Sequence, residues 1–239
     1  PSAQGHGTEK VIEAVHKNSG KINISVVPTK LFATVLTIFA GGSVGKEGPG
    51  AQIGASLASF IAMKLNFSNR DRKKIVICGI SAGFASVFGT PLAGAIFGVE
   101  ILIVGALMYD ILLPSIVAGF SAFLVAKMFG INYTYFYIAF YSSFDFNYVL
   151  LSKVILGGIF FGLVADFIIT TLSTLHKYVD KIKINYILKA FFGGMLLLIL
   201  TLIIGEDYLG LGFHTIKDSL SYNIEAYENV PWYAFIMKT

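Results

Sequence analysis

The residues best suited to chemistry lie in Gly45–Pro49, which reads GKEGP and places a base and an acid next to glycine and proline. The flanking sequences, Leu31–Ala40 and Gly50–Leu65, are mostly apolar. Because proline lacks an N–H group and favours the first helical turn, we predict a helix that begins at Glu47 or Gly48. The free N–H groups and the positive dipole of that helix end would attract an anion.

Glu47 allows two interpretations. As an acid in the first turn of a helix, it could serve only to stabilise the helix N-terminus. As an ionisable group in apolar sequence, it could instead compete with a permeating anion for the positive helix end and leave when it is protonated. We predict this second role, that of a gate, because ionisable residues within membrane segments usually mark functional sites.

The composition indicates the protein class independently of this motif. Hydrophobic residues make up 55% of the 239 residues, charged residues make up 13%, and the mean hydropathy is +0.74. A soluble domain needs a more polar surface, so we predict an all-α, multi-pass integral membrane protein, which we place in the cell membrane. The formal charge of +4 suits loops that face anionic lipid, and no motif favours nucleic acid.

Apolar segments and basic loops predict the order of the helices. The predicted helical segments are a short stripe at 11–15 and the ranges 31–45, 47–65, 75–88, 91–106, 111–130, 150–176, 186–204 and 211–220. Lysine and arginine place the loops at 17–30, 66–74 and 177–183 on the cytoplasmic side. The segments 75–88 and 91–106 are shorter than the roughly 20 residues of a full span, which indicates tilted, short and discontinuous helices with ends inside the protein.

Glycine pairs four residues apart recur along these segments. The pairs are Gly41/Gly45, Gly50/Gly54, Gly79/Gly83, Gly94/Gly98 and Gly158/Gly162. Small residues at this spacing let two helix backbones approach each other closely in lipid. We therefore predict close helix packing at all of these glycines except Gly45, and a pathway that excludes water also needs such packing.

Two ordered blocks of this sequence resemble the CLC family of chloride channels and chloride/proton antiporters. The first block is GKEGP at 45–49 followed by QIG at 52–54, and the second is SAGFA at 81–85, PLAG at 91–94, Phe97 and Glu100. Residues 5–9, GHGTE, are similar to the family's GSGIPE block, with His6 in place of serine. A nucleotide-binding P-loop does not fit, because Ala40 and Glu47 stand where it needs Gly and then Ser or Thr.

The resemblance implies roles for the motif residues. It implies that Glu47 is the external gate and, in antiporters, a proton-transfer group. It also implies an anion site at two helix starts, with residues Gly5, His6, Gly7, Gly45, Lys46, Glu47, Gly48 and Pro49. The imidazole of His6 can donate to an anion as a hydroxyl does, but its size and its titration near neutral pH would alter selectivity. Lys46 would add positive potential nearby, or it would pair with Glu47 or with another buried acid.

Proton coupling in the family depends on a second acid. The resemblance implies a Glu-Glu pair after the second block, whereas this chain has Glu100 followed by Ile101. Neighbouring residues on a helix point about 100° apart, so Glu100 would join a possible proton path from a different direction. Uncoupled chloride conduction and chloride/proton exchange therefore stay open as alternatives. Fluoride transport is disfavoured because Lys46 and Gly48-Pro49 are similar to the chloride branch of the family.

The resemblance covers the whole chain and implies one partial transmembrane domain at 1–239, without the family's first helices and C-terminal part. It implies a homodimer with a pore in each subunit, chloride and in antiporters protons as transported ions, and no cofactor or metal. A membrane enzyme that uses Glu47 or Glu100 with His6 as acid and base lacks a supporting nucleophile, metal cluster or cofactor loop. A purely structural membrane subunit would explain the glycine pairs but not a buried Glu47.

Overall fold

The structure, a computed structural model, describes residues 7–101, 109–133, 147–205 and 209–212. These residues form eight α-helices and no β-strand, which confirms the predicted all-α fold. The helices are α1 Thr8–Lys17, α2 Val26–Phe39, α3 Glu47–Lys64, α4 Asn69–Phe88, α5 Pro91–Glu100, α6 Tyr109–Met128, α7 Tyr148–Lys181 and α8 Tyr186–Ile204. The chain divides into two compact units, Pro1–Tyr135 with α1–α6 and Phe136–Thr239 with α7 and α8.

Helix starts follow local sequence chemistry. α3 begins at Glu47 with Pro49 in its first turn, which confirms the start predicted from GKEGP. The side chains of Asn147 and Asn185 cap α7 and α8 by accepting hydrogen bonds from backbone N–H groups two residues later. α8 has the predicted bounds, whereas α7 is longer at both ends than the predicted 150–176. Almost all of the helix predicted at 211–220 lies outside the described residues.

The predicted length of α4 is wrong. The sequence predicted a segment at 75–88, whereas α4 begins at Asn69 and has 20 residues. Ser68 Oγ accepts a hydrogen bond from Asp71 N at 3.2 Å, and this cap extends the helix through the basic residues. At about 30 Å in length, α4 is long enough to cross a bilayer.

α4 and α5 are separated by a sharp break, as predicted. Gly89 ends α4 with a φ of 71°, a left-handed conformation that favours glycine, and Pro91 starts α5. The ring of Tyr133 lies against Gly89, since a Cβ placed on that glycine would be 2.5 Å from the ring. The Tyr133 hydroxyl also donates to the Ser86 carbonyl at 2.8 Å. The chain that follows α6 therefore holds the break in place.

α3 and α4 pack backbone to backbone at two of the predicted glycine pairs. A Cβ on Gly79 would lie 2.5 Å from the Gly54 carbonyl oxygen, and a Cβ on Gly54 would overlap the Gly79 carbonyl. A Cβ on Gly83 would lie 2.9 Å from the Gly50 carbonyl carbon. These contacts confirm close packing at Gly50/Gly54 and Gly79/Gly83, and they require glycine because the opposing atoms belong to helix backbones.

α5 packs on α4 in the same manner. A Cβ on Gly94 would lie 2.9 Å from the Ser81 carbonyl oxygen and 3.0 Å from Ala85 Cβ. A Cβ on Gly98 would overlap Ser81 Oγ and lie 3.1 Å from the Ile77 carbonyl oxygen. Close packing at Gly94/Gly98 is therefore confirmed as well.

The packing prediction is wrong for Gly41, and it stays a prediction for Gly158/Gly162. Gly41 and Gly45 lie in the connection between α2 and α3, where Gly41 has a φ of 84°. Among the residues that the structure describes, nothing lies within 4 Å of a Cβ placed on Gly158 or Gly162 of α7, and none of the α7 residues is buried. Within the described residues, the same spacing therefore occurs both with and without a helix contact.

The surface of the described helices is strongly apolar. α6 and α7 are long and apolar enough to cross a bilayer, since they contain 18-residue stretches with mean hydropathies of 1.9 and 2.1. The apolar helices α2 and α5 are shorter. Large hydrophobic side chains of α2 are exposed, and Phe39 at its end has 90% of its surface exposed. Exposed apolar surface on this scale indicates contact with lipid or with further protein rather than with water alone.

We predict that Gly54→Ala lowers the free energy of unfolding by about 1–3 kcal/mol, because the new Cβ would force α3 and α4 apart. The control is Gly157→Ala in α7, where nothing lies within 4 Å of the new Cβ. There the higher helix propensity of alanine should stabilise the protein by about 0.5–1 kcal/mol. Thermal unfolding of the purified protein in detergent measures both effects, and equal effects would contradict the α3/α4 contact.

Candidate functional site

The amino ends of α1 and α3 meet. A Cβ placed on Gly7, which precedes α1, would lie 3.0 Å from the Gly48 carbonyl oxygen and 2.8 Å from Gln52 Oε1, both on α3. Gly7 is buried and has a φ of 101°, so both the close approach and the backbone conformation require glycine. We call this contact among Gly7, Gly48 and Gln52 the amino-end junction.

The loop that follows α1 is fixed to α3 by two buried serines. Ser59 Oγ accepts a hydrogen bond from Ile22 N at 2.9 Å and donates one to the Gly20 carbonyl at 2.7 Å. Ser56 Oγ donates to the Asn23 carbonyl at 2.8 Å. Ser59 lies about three turns beyond the amino-end junction along α3. α1 and α3 therefore run in the same direction, and both of their positive ends point to the junction.

A buried arginine ties the same loop to α4. Arg72 is 5% exposed, its Nε donates to the Ser19 carbonyl at 2.9 Å, and its Nη2 donates to Asn69 Oδ1. A guanidinium is electrostatically favourable here, because the carboxyl end of α1 carries a partial negative charge. The contact joins the segments 17–30 and 66–74, which the sequence predicted on one side of the membrane.

An apolar core holds α1 against its neighbours. The buried residues of this core include Val11, Ala14 and Val15 of α1, Ala51 and Ala55 of α3, and Val76 and Ile80 of α4. The stripe predicted at 11–15 is therefore the buried face of α1. Together with the serine and arginine contacts, this core fixes the position of Gly7 relative to α3.

The amino-end junction is rich in hydrogen-bond donors. The first backbone hydrogen bond of α3 runs from Gly50 N to the Lys46 carbonyl at 3.0 Å, and that of α1 from Val11 N to the Gly7 carbonyl at 3.2 Å. The backbone N–H groups that precede these bonds project from the helix ends, and no side-chain capping bond forms at Gly7 or Lys46. Each end carries about half a positive charge, so a small anion is the ligand that this arrangement favours.

Glu47 lies half-buried at the start of α3. Its carboxylate folds back over Gly45, because a Cβ on Gly45 would overlap Glu47 Oε2 and lie 2.9 Å from Glu47 Cδ. Only glycine at position 45 leaves room for this conformation. The carboxylate thus lies at a helix amino end, where a gate would have to lie, and the role of gate itself stays a prediction.

The structure brings several of the predicted site residues together. Gly7 contacts Gly48, and Gly45–Pro49 forms the adjoining start of α3. Gly5 and His6 lie outside the described residues. Glu100 is exposed at the end of α5, and its part in a proton path stays a prediction.

Gln52 is a candidate site residue that the sequence reasoning missed. Gln52 belongs to the QIG block, and no role beyond that block is predicted for it from the sequence. It is 2% exposed and its Oε1 reaches the amino-end junction. The sequence feature that could have identified Gln52 is a long polar side chain one turn after Gly48, on the same face of an otherwise apolar helix. Across the described parts of the chain, no group of three or more His, Cys, Asp or Glu could hold a metal ion.

The chain is similar to known proteins over most of its length. Residues 1–239 match the family described as voltage gated chloride channel. A chloride/fluoride channel protein of Pseudomonas syringae pv. tomato is 34% identical over 220 residues, which cover 89% of this chain and 48% of that protein. An uncharacterized protein of Methanocaldococcus jannaschii is 31% identical over 215 residues, which cover 90% of this chain and 53% of that protein.

A solved structure shows the same fold. The crystal structure of a CLC-type fluoride/proton antiporter matches with a TM-score of 0.88 and 26% sequence identity. The match covers 99% of this chain and 58% of that chain. This chain therefore spans about half the length of the curated relatives that it matches.

We predict that Gly7→Ala weakens chloride binding about tenfold, because the new Cβ would push α1 away from Gly48 and Gln52 and separate the two helix ends. Gly130→Ala is the matched control. Gly130 has a φ of 79° but nothing within 4 Å of a new Cβ, so this variant carries backbone strain of about 1–2 kcal/mol without the clash. Isothermal titration calorimetry in detergent measures chloride affinity, and equal affinity of the two variants would contradict a binding role for the junction.

Proposed function

Because this chain belongs to the family of voltage-gated chloride channels, we propose that it forms part of a transmembrane pathway for chloride or similar small anions, gated by Glu47. The family consists of integral membrane channels and transporters rather than enzymes, and its members transport anions without a cofactor. In this proposal the protein is a homodimer in the cell membrane, with a pathway in each subunit.

The meeting of two helix amino ends is the observation that carries this proposal. An anion that leaves water needs donors to replace its hydration shell, and the first turns of α1 and α3 supply backbone N–H groups at one place. Two partial charges attract an anion less strongly than a fixed cation in direct contact would, so the anion can also leave. Lys46, half-buried at the start of α3, adds positive potential near the site.

Glu47 supplies the gate in this mechanism. Its ionised carboxylate and the permeating anion compete for the same positive helix ends, so the pathway is closed while the carboxylate occupies them. Protonation removes the negative charge and with it most of the attraction to the helix ends. The side chain can then swing away about a backbone that Gly45 leaves uncrowded.

Fluoride in exchange for protons is a second candidate function. The names of two similar proteins favour fluoride, since one is a chloride/fluoride channel protein and the other a CLC-type fluoride/proton antiporter, and the second name alone favours exchange for protons. The chloride antiporters of this family relay protons through a second acid, and this chain has Ile101 at that position. Glu100, the residue before it, is exposed. Exchange in this protein would therefore depend on Glu47 as the proton-carrying group.

We predict that Glu47→Gln makes anion flux less dependent on external pH. Glutamine resembles a protonated glutamate in shape but cannot ionise, so flux at neutral pH should rise toward the wild-type level at acidic pH. Chloride efflux from liposomes that contain the reconstituted protein, followed with a chloride electrode at several external pH values, measures this change.

The control for the gate experiment is Glu13→Gln. Glu13 is an exposed acid of α1 that pairs with Lys17 at 3.2 Å, so its neutralisation should leave the pH dependence as in the wild type. Wild-type pH dependence in the Glu47→Gln variant would refute the gate.

Exchange and simple conduction differ in what a proton gradient does. If the protein exchanges fluoride for protons, a pH gradient will drive fluoride across the liposome membrane against its own gradient, and Glu47→Gln will abolish that accumulation. If the protein conducts anions without exchange, the reversal potential will follow the anion gradient and will not depend on the pH gradient. A fluoride electrode and a reversal-potential measurement under a pH gradient decide between the two.

A further inference from the structure

Gln52 is a buried polar residue with an unused hydrogen-bond acceptor. It is 2% exposed, and Oε1 is the one buried side-chain nitrogen or oxygen without a hydrogen-bond partner in the part of the chain that the structure describes. By contrast, the buried Ser56, Ser59 and Arg72 all form hydrogen bonds. Native proteins rarely leave a buried acceptor unpaired, so a donor from outside the chain is expected at Gln52.

The unpaired oxygen faces the amino-end junction. Oε1 lies 2.8 Å from the position of a Cβ on Gly7. Gln52 belongs to α3, the helix that carries Gly48 one turn earlier. Long side chains in a helix lean toward the N-terminus of that helix, which turns Gln52 toward the free N–H groups of α3. The proposed anion pathway therefore has the side-chain oxygen of Gln52 as an acceptor beside its backbone donors.

An anion cannot satisfy that acceptor by direct contact. Halides only accept hydrogen bonds, and the lone pairs of an amide oxygen repel them. Water can bridge the two, since it donates one hydrogen to Oε1 and the other to the anion, and its own oxygen can accept from a backbone N–H.

We propose that Gln52 determines anion selectivity by holding a water molecule through Oε1, so that the anion binds at the amino-end junction with part of its hydration shell. This inference rests on the proposed anion pathway and adds to it a residue and a selection rule. Compact anions of high charge density form stronger hydrogen bonds to water than large, diffuse ones do. The site therefore favours chloride and fluoride over thiocyanate.

The test replaces Gln52 by an apolar side chain of similar length. In Gln52→Met the water loses its anchor, and the selectivity for chloride over thiocyanate should fall about tenfold, the effect of one hydrogen bond to a charged group. Chloride and thiocyanate uptake into liposomes give the ratio of initial rates. Because both rates come from the same preparation, the ratio does not depend on the amount of folded protein.

Ser56→Ala is the matched control. It removes another buried polar group, one turn further along α3, whose Oγ donates to the Asn23 carbonyl at 2.8 Å away from the junction. It should lower thermal stability and leave the selectivity ratio unchanged. Gln52→Leu serves as a second variant if Gln52→Met does not yield folded protein, with the same expected fall in the ratio.

The outcomes separate the two proposals. An unchanged chloride-to-thiocyanate ratio in Gln52→Met or Gln52→Leu, in a protein that still transports, overturns the role of Gln52 alone. A wild-type protein that transports neither anion overturns the proposed function and this inference with it. If the ratio falls as much in Ser56→Ala as in Gln52→Met, a general loss of packing explains both changes, and the inference is overturned.

Discussion

Two helix ends of like partial charge lie together in this fold, and the surrounding helices must hold them there. Because α1 and α3 run in the same direction, their positive ends repel each other unless an anion lies between them. Helix-end effects amount to about 0.3–1 kcal/mol, whereas each hydrogen bond in the loop that follows α1 contributes about 1 kcal/mol. The bonds of Ser59 and Arg72 therefore suffice to keep the ends in contact without the additional bond of Ser56.

The position of these stabilising contacts has a functional consequence. The serine contacts lie about one to three turns beyond the amino-end junction along α3, on the loop that follows α1, and the glycine contacts of α3 with α4 hold α3 from another side. The backbone donors at the junction are therefore fixed in place before an anion arrives, and little reorganisation accompanies binding. In the proposed mechanism, the side chain of Glu47 moves while the helix ends stay still.

Glycine has different structural roles at different positions of this fold. At Gly54 it lets two helix backbones touch, at Gly7 it permits a positive φ and the approach of Gly48, and at Gly45 it leaves room for the Glu47 carboxylate. Gly158 of α7 has nothing within 4 Å of a Cβ. These roles differ although the residue is the same, because each depends on which atoms the rest of the fold places opposite the glycine.

The sequence by itself determined the features that depend on near neighbours along the chain: an apolar all-α protein, a helix that starts at Glu47, and a break at Gly89 and Pro91. The length of α4 also depends on near neighbours along the chain, because Ser68 caps this helix. The sequence prediction started the helix later, since the basic residues that follow Ser68 indicated a loop. Only the tertiary structure decided that Gly7 meets Gly48, that some glycine pairs make contacts and others do not, and that Gln52 is buried with an unpaired oxygen. The physical reason is that these contacts join segments far apart in the chain, and spacing within one helix shows which residues share a face but not which helix that face will meet.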